Sequence, residues 1–203
     1  ILLSASHRAA AGAFDPEAFA GPKVRDLYLV IIRDPDAQLL ALNRGKADIL
    51  GDLHRPVDVD ALSKSPAVDL SIASGFHGFF LGFNVRTFPW NSLDLRRSAW
   101  QALPRERMVR DLFAGYAEPL STFLPPVSPY FEPDVTAYPH DPEAARKRLA
   151  DGGWTWGSDG VLVSPDGKKV PPQKLLCPTA STAPTTAEIA VRMAGALSAI
   201  GIP

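Results

Sequence analysis

With 203 residues, 46% hydrophobic and 21% charged, the chain has ordinary globular composition and enough length for one large domain or two small ones. Its 21 Lys and Arg nearly balance 22 Asp and Glu, and the resulting net charge of -1 excludes the strong field that recruits nucleic acid or anionic lipid. No apolar run reaches the roughly 18 residues of a membrane-spanning helix, and the single cysteine, Cys177, excludes an internal disulfide and is expected as a structural thiol.

The chain opens on Ile1, Leu2 and Leu3, which read as the inside of a strand, without an initiator Met; it stops just after a helical pattern, as a fragment would. Residues 24–32 alternate, with Leu27, Leu29 and Ile31 on one face, which predicts a half-buried strand. A helix follows. Asp34 can cap it, Pro35 suits its first position, Leu39 and Leu42 face a core, and Gly45 supplies a left-handed stop. "ADIL" (47–50) then returns as a strand, and strand, helix, strand favours a parallel crossover. A short helix at 57–64 and an alternating strand with Val68, Leu70 and Ile72 complete this segment, which "SGFHG" (74–78) breaks.

Residues 79–85 predict a strand with two unlike faces. Phe79, Leu81 and Phe83 form a plain core face. Phe80, Gly82 and Asn84 combine an aromatic, a glycine and an amide, a mixture suited to a surface that a ligand or another backbone approaches closely. The plainer reading is a glycine bulge beside a satisfied core Asn. Two amphipathic helices, 95–103 and 105–114, come next, separated by Pro104, with Met108 and Phe113 as core residues. The Pro-rich stretch to Pro133 must be largely extended, since proline donates to neither helix nor central ladder.

"DPEAARKRLADGGW" (141–154) is a strong helix signal, with Asp141 as cap, Pro142 in the first turn and Gly152 as stop; Trp154 packs back. "DGVLVSPDGKKV" reads as a β-hairpin turning at Pro165, Asp166 and Gly167, and 174–176 starts another strand. The last helix carries Ile189, Met193, Leu197 and Ile200 on one stripe and ends at Gly201. The 20 prolines fall largely at joints between these segments, as punctuation rather than disorder.

Chemistry-bearing motifs are absent from the sequence. His7, His54, His77 and His140 lie far apart, with no HExxH or CxxC spacing to tie them to a metal. No GxSxG, GxGxxG or GxxxxGK[ST] occurs, so nucleophile-elbow and nucleotide chemistry lack support. Asp48, Asp52, Asp58 and Asp60 could form a carboxylate pair, but acidic loops are usually just solvated. The expectation is a binding module without catalytic activity, metal or cofactor.

Four strings in this order, "ALNRGKADIL" (41–50), "LGFNVR" (81–86), "LFAGYAEPLSTFLPP" (112–126) and "DPEAARKRLADGGW" (141–154), resemble the family 5 extracytoplasmic solute-binding proteins. That family delivers peptides, nickel complexes or sugars to bacterial ABC importers. The resemblance covers roughly residues 20–203 and implies an α/β, type II periplasmic-binding-protein-like fold of two lobes, of which this chain is a partial segment. It implies residues 1–74 as part of the first, hinge-proximal lobe and 75–203 as the N-terminal part of the second ligand-binding lobe. Carried onto this chain, it implies Phe76, His77, Phe80, Gly82 and Asn84 as ligand-binding residues at or beside the lobe junction, with the Phe80, Gly82 and Asn84 face toward the cleft and Arg86 and Trp90 as weaker candidates.

The same resemblance implies a small-molecule ligand, such as a peptide, nickel chelate or sugar, and ABC permease subunits as partners, with no nucleic acid and a monomeric state. Location would be periplasmic or extracytoplasmic, with lipid anchoring of a full-length protein. One departure is Pro104 ahead of "RER", where the family tends to have an Asp that caps the helix. The family's main ligand-charge partners lie beyond the position matching Pro203. The alternatives are a hydrolase with a convergent Ser/His/Asp site and a structural or chaperone-like protein.

Overall fold

The computed structural model describes residues 24–203 apart from 52, 54, 74 and 77. The strand expected at residues 1–3 and the positions of His7, His54 and His77 lie outside the described residues. The chain divides into two units, residues 1–77 and 78–203.

In the first unit, helix α1 (Pro35–Asn43) begins as its sequence dictates: the Asp34 carboxylate accepts the Ala37 amide at 2.8 Å, and Gly45 turns the chain at φ +62°. Helix α2 (Pro56–Ser63) buries Val59 and Leu62, and also the carboxylate of Asp58. A buried charge needs a partner. Arg55 supplies it through Nε at 2.7 Å and Nη2 at 2.8 Å, and reaches Asp36 in the first turn of α1 at 2.6 Å. Hydrogen bonding by Asp58 and then Asp36 raises the Arg55 pKa further above its ordinary value.

The strands expected at 24–32, 47–50 and 68–72 do not form, and neither does the parallel crossover they would have made. Leu27, Leu29 and Ile31 are 72%, 86% and 88% exposed rather than half-buried. A strand requires a neighbouring ladder and a face to bury. Among the described residues no such ladder reaches these segments.

The second unit holds the principal core. Helix α3 (Leu93–Ala102) packs mainly against helix α5 (Pro142–Asp151), with helix α4 (Arg105–Phe113) and helix α6 (Pro184–Ala199) against the same assembly. Leu95, Ala99, Ala102, Ala145 and Leu149 fill the α3–α5 contact; the alanines let the two backbones approach, and the leucines fill the remaining space. Ser92 caps α3 and Asp141 caps α5, the latter through the Ala144 amide at 2.8 Å. Helix α4 starts directly after Pro104 with no side-chain cap, and buries Met108 and Phe113.

Helix α5 ends at Asp151 with Gly152 as its C-cap, as expected. Gly152 has φ -79°, and the left-handed turn falls on Gly153 at φ +81°. Trp154 then packs back into the core and stacks on Phe88 at 6.4 Å. Strand β1 (Thr155–Trp156) pairs antiparallel with strand β2 (Leu162–Val163), and the expected turn at Pro165–Gly167 brings Lys169 back beside Val163.

No strand forms at 174–176, and Cys177 is exposed, contrary to a structural, packed thiol. A small residue set closes the unit instead. Leu162 donates to Gly201 O at 2.8 Å, and Gln173 donates to Pro203 O at 2.7 Å. The expected α6 stripe is present, with Ile189, Leu197 and Ile200 buried and Met193 half-buried. Gly201 follows at φ +98°, and the Trp156 indole donates to Ile200 O at 3.0 Å beneath the Arg146 guanidinium.

Candidate functional site

Residues 78–84 open the second unit and belong to no helix or sheet. The two faces nevertheless differ as their alternation requires. Phe79 contacts Phe113 with ring centres 5.6 Å apart, Phe83 lies 4.4 Å from Trp90, and Leu81 and Phe83 pack on the core. On the opposite side Phe80 is 74% exposed, and Gly82 and Asn84 are exposed. A Cβ added at Gly82 would meet nothing within 4 Å, so this backbone is open to approach. Asn84 is not a core amide: its side-chain oxygen accepts the Arg86 amide at 3.2 Å, an Asx turn that ends the run.

The structure adds a residue that the sequence did not suggest. Phe123, 81% exposed, meets Phe80 edge to face with ring centres 6.0 Å apart. It comes from the Pro-rich stretch, where a lone aromatic carries no periodic signal. The same stretch encloses a hollow of about 210 Å³ lined by Glu118, Leu120, Thr122, Phe131, Glu132 and Val135. That volume is below the roughly 300 Å³ at which drug-sized sites begin.

Phe76 belongs to the first unit and is 61% exposed, whereas His77 lies outside the described residues. Of the weaker candidates, Arg86 is exposed. Trp90 is half-buried and committed: its indole donates to Gln173 at 2.8 Å, and its carbonyl accepts from Arg96 at 2.6 Å.

Arg105 secures the Pro-rich stretch. One terminal nitrogen donates to Leu120 O at 2.9 Å and the other to Tyr138 O at 2.8 Å, while the guanidinium lies 4.5 Å from the centre of the Trp100 ring. Burial lowers its pKa from the ordinary value, opposed by the nearby Glu106 charge. Among the described residues, no three His, Cys, Asp or Glu side chains are grouped to hold a metal, and His140 is exposed. No helix among them is long and apolar enough to cross a membrane.

A family model described as bacterial extracellular solute-binding proteins, family 5 Middle, matches residues 18–203. Among curated proteins, the chain is 32% identical over 139 residues to "Probable di/tripeptide-binding protein 5" of Pseudomonas aeruginosa, covering 68% of this chain and 26% of that protein. It is 27% identical to "Di/tripeptide-binding protein 1" of the same organism, over 69% of this chain and 26% of the relative. The chain thus spans about a quarter of the length of these relatives. Among solved structures, the oligopeptide-binding protein AppA of Bacillus subtilis, in complex with a nonapeptide, superposes with a TM-score of 0.58 at 24% identity. The superposition covers 85% of this chain and 34% of that one, and places the fold among the type II periplasmic binding proteins.

Proposed function

Because the chain belongs to the bacterial extracellular solute-binding proteins of family 5, a family of non-enzymatic binding proteins outside the cytoplasm, we propose that it contributes to peptide capture for an ABC importer. In this reading residues 1–74 belong to the first lobe and 75–203 to the second. A peptide contacting both lobes only when they close would shift the population toward the closed form, which then docks on the permease. Lipid anchoring and a monomeric state belong to the same reading.

The exposed Phe80, Gly82 and Asn84 face carries the proposal. An aromatic wall suits a peptide side chain, an open glycine lets a second backbone approach, and an amide both donates and accepts, as a peptide group does. The names of the relatives favour peptides over nickel chelates or sugars. Phe76 and His77 are proposed to border the same ligand.

Calorimetry on the full-length gene product, with the dipeptide Ala-Phe and a sugar and a nickel chelate as controls, tests this. Phe80→Ala is expected to weaken Ala-Phe binding about tenfold, the order of one lost aromatic contact. Binding of the sugar or chelate instead would overturn the peptide assignment. The peptide should be recovered intact after prolonged incubation; cleavage would favour the hydrolase.

A further inference from the structure

The Pro-rich stretch has a structural problem that Arg105 solves. Pro125, Pro126, Pro129 and Pro133 lack amide hydrogens, so the segment between Leu120 and Tyr138 can build few cross-links of its own. Its internal bonds are short-range: Thr122 to Leu124 O, Ser128 N to Pro125 O and Phe131 N to Ser128 O. Arg105 reaches both ends of this segment at once, at Leu120 O and Tyr138 O, from the first position of α4. Its Nε is buried without a partner, so these two carbonyls and the Trp100 face must offset the desolvation of a permanently charged group.

Phe123 stands three residues beyond the first anchor, and its ring completes the exposed aromatic pair with Phe80. The aromatic pair therefore depends on where that anchor holds the backbone. We infer that Arg105 is the positioning residue of the ligand face, fixing Phe123 against Phe80 by clamping both ends of the segment that carries it. This role rests on the peptide-binding reading. The planar fork is central to it, because the guanidinium holds two donor nitrogens in fixed, separate directions, whereas a lysine ammonium gathers its three rotatable donors on one nitrogen at the end of a flexible stem.

The test uses the full-length gene product and its Arg105→Lys, Phe123→Ala and Phe80→Ala variants, with Ala-Phe as probe. Hydrogen exchange is read separately over 119–138 and over α3 and α5. Arg105→Lys is expected to speed exchange in 119–138 about tenfold, with α3 and α5 unchanged, and to weaken Ala-Phe binding about as much as Phe123→Ala does. Phe123 is exposed, so its truncation should leave folding intact and reports on the face even if Arg105→Lys folds poorly. Unchanged exchange in 119–138 overturns the clamp. Faster exchange with unaltered affinity, while Phe80→Ala still weakens binding, overturns the positioning role alone. A wild-type protein that binds no Ala-Phe overturns the peptide reading and the positioning role with it, whatever the exchange shows.

Discussion

Gly201→Ala is expected to destabilise the second unit by about 3–5 kcal/mol, combining a backbone conformation costly for any L side chain with the loss of packing around it. At φ +98° the new Cβ would lie 2.7 Å from the Trp156 indole nitrogen and 2.9 Å from Gly160 O. The carbonyl is backbone and cannot swing aside. The indole is held by its bond to Ile200 O and by the Arg146 guanidinium 4.3 Å from its ring centre, so moving it breaks both. Urea unfolding of this chain, followed by tryptophan fluorescence, isolates the effect, since Trp90, Trp100, Trp154 and Trp156 all lie in the second unit. The midpoint should fall by about 2 M. Gly167→Ala separates the two causes: its φ is +79° but nothing lies within 4 Å, and it should cost only about 1 kcal/mol. Equal losses at the two positions would mean that the close approach at Gly201 carries no weight.

Leu149→Ala should remove about 4 kcal/mol, toward the upper part of the range for buried leucines. The side chain is fully buried in the α3–α5 contact, where Ala99, Ala102 and Ala145 are too short to move into the space it would vacate. Leu149→Met conserves volume and should cost less than about 1.5 kcal/mol. The same fluorescence-monitored titration checks both, and a loss below about 2 kcal/mol for the alanine variant would show that α3 and α5 can close over the gap.

The helices were legible because their signals are local. Asp34, Asp141 and the prolines beside them act on amides within one turn, and Gly45 and Gly201 stop their helices where the sequence places them. The strands were not legible in the same way, because a strand is a relation between segments, and alternation at 24–32, 68–72 and 79–85 says nothing about whether a partner lies alongside. Alternation did separate Leu81 and Phe83, which pack on the core, from the exposed Phe80, Gly82 and Asn84 even without a sheet, whereas Phe79, expected on the core face, stays 41% exposed. Phe80, Gly82 and Asn84 could therefore be singled out. Phe123 and Arg105 could not: one is an isolated aromatic among prolines, the other looked like an ordinary first-turn arginine, and only the folded chain brings each to its distant partners.

The uncovered run at Leu27, Tyr28, Leu29, Val30 and Ile31 has a consequence for handling the chain. It combines β-branched and aromatic residues, no charge and no proline, each side chain more than 70% exposed, and among the described residues no ladder pairs its backbone. Two such runs from different molecules can zip together, and charged gatekeepers stand only outside it, at Asp26, Arg33 and Asp34. Concentrated solutions of this chain should therefore form amyloid-like, thioflavin-positive aggregates after a lag, and Val30→Lys should lengthen that lag while leaving the tryptophan-monitored unfolding of the second unit unchanged.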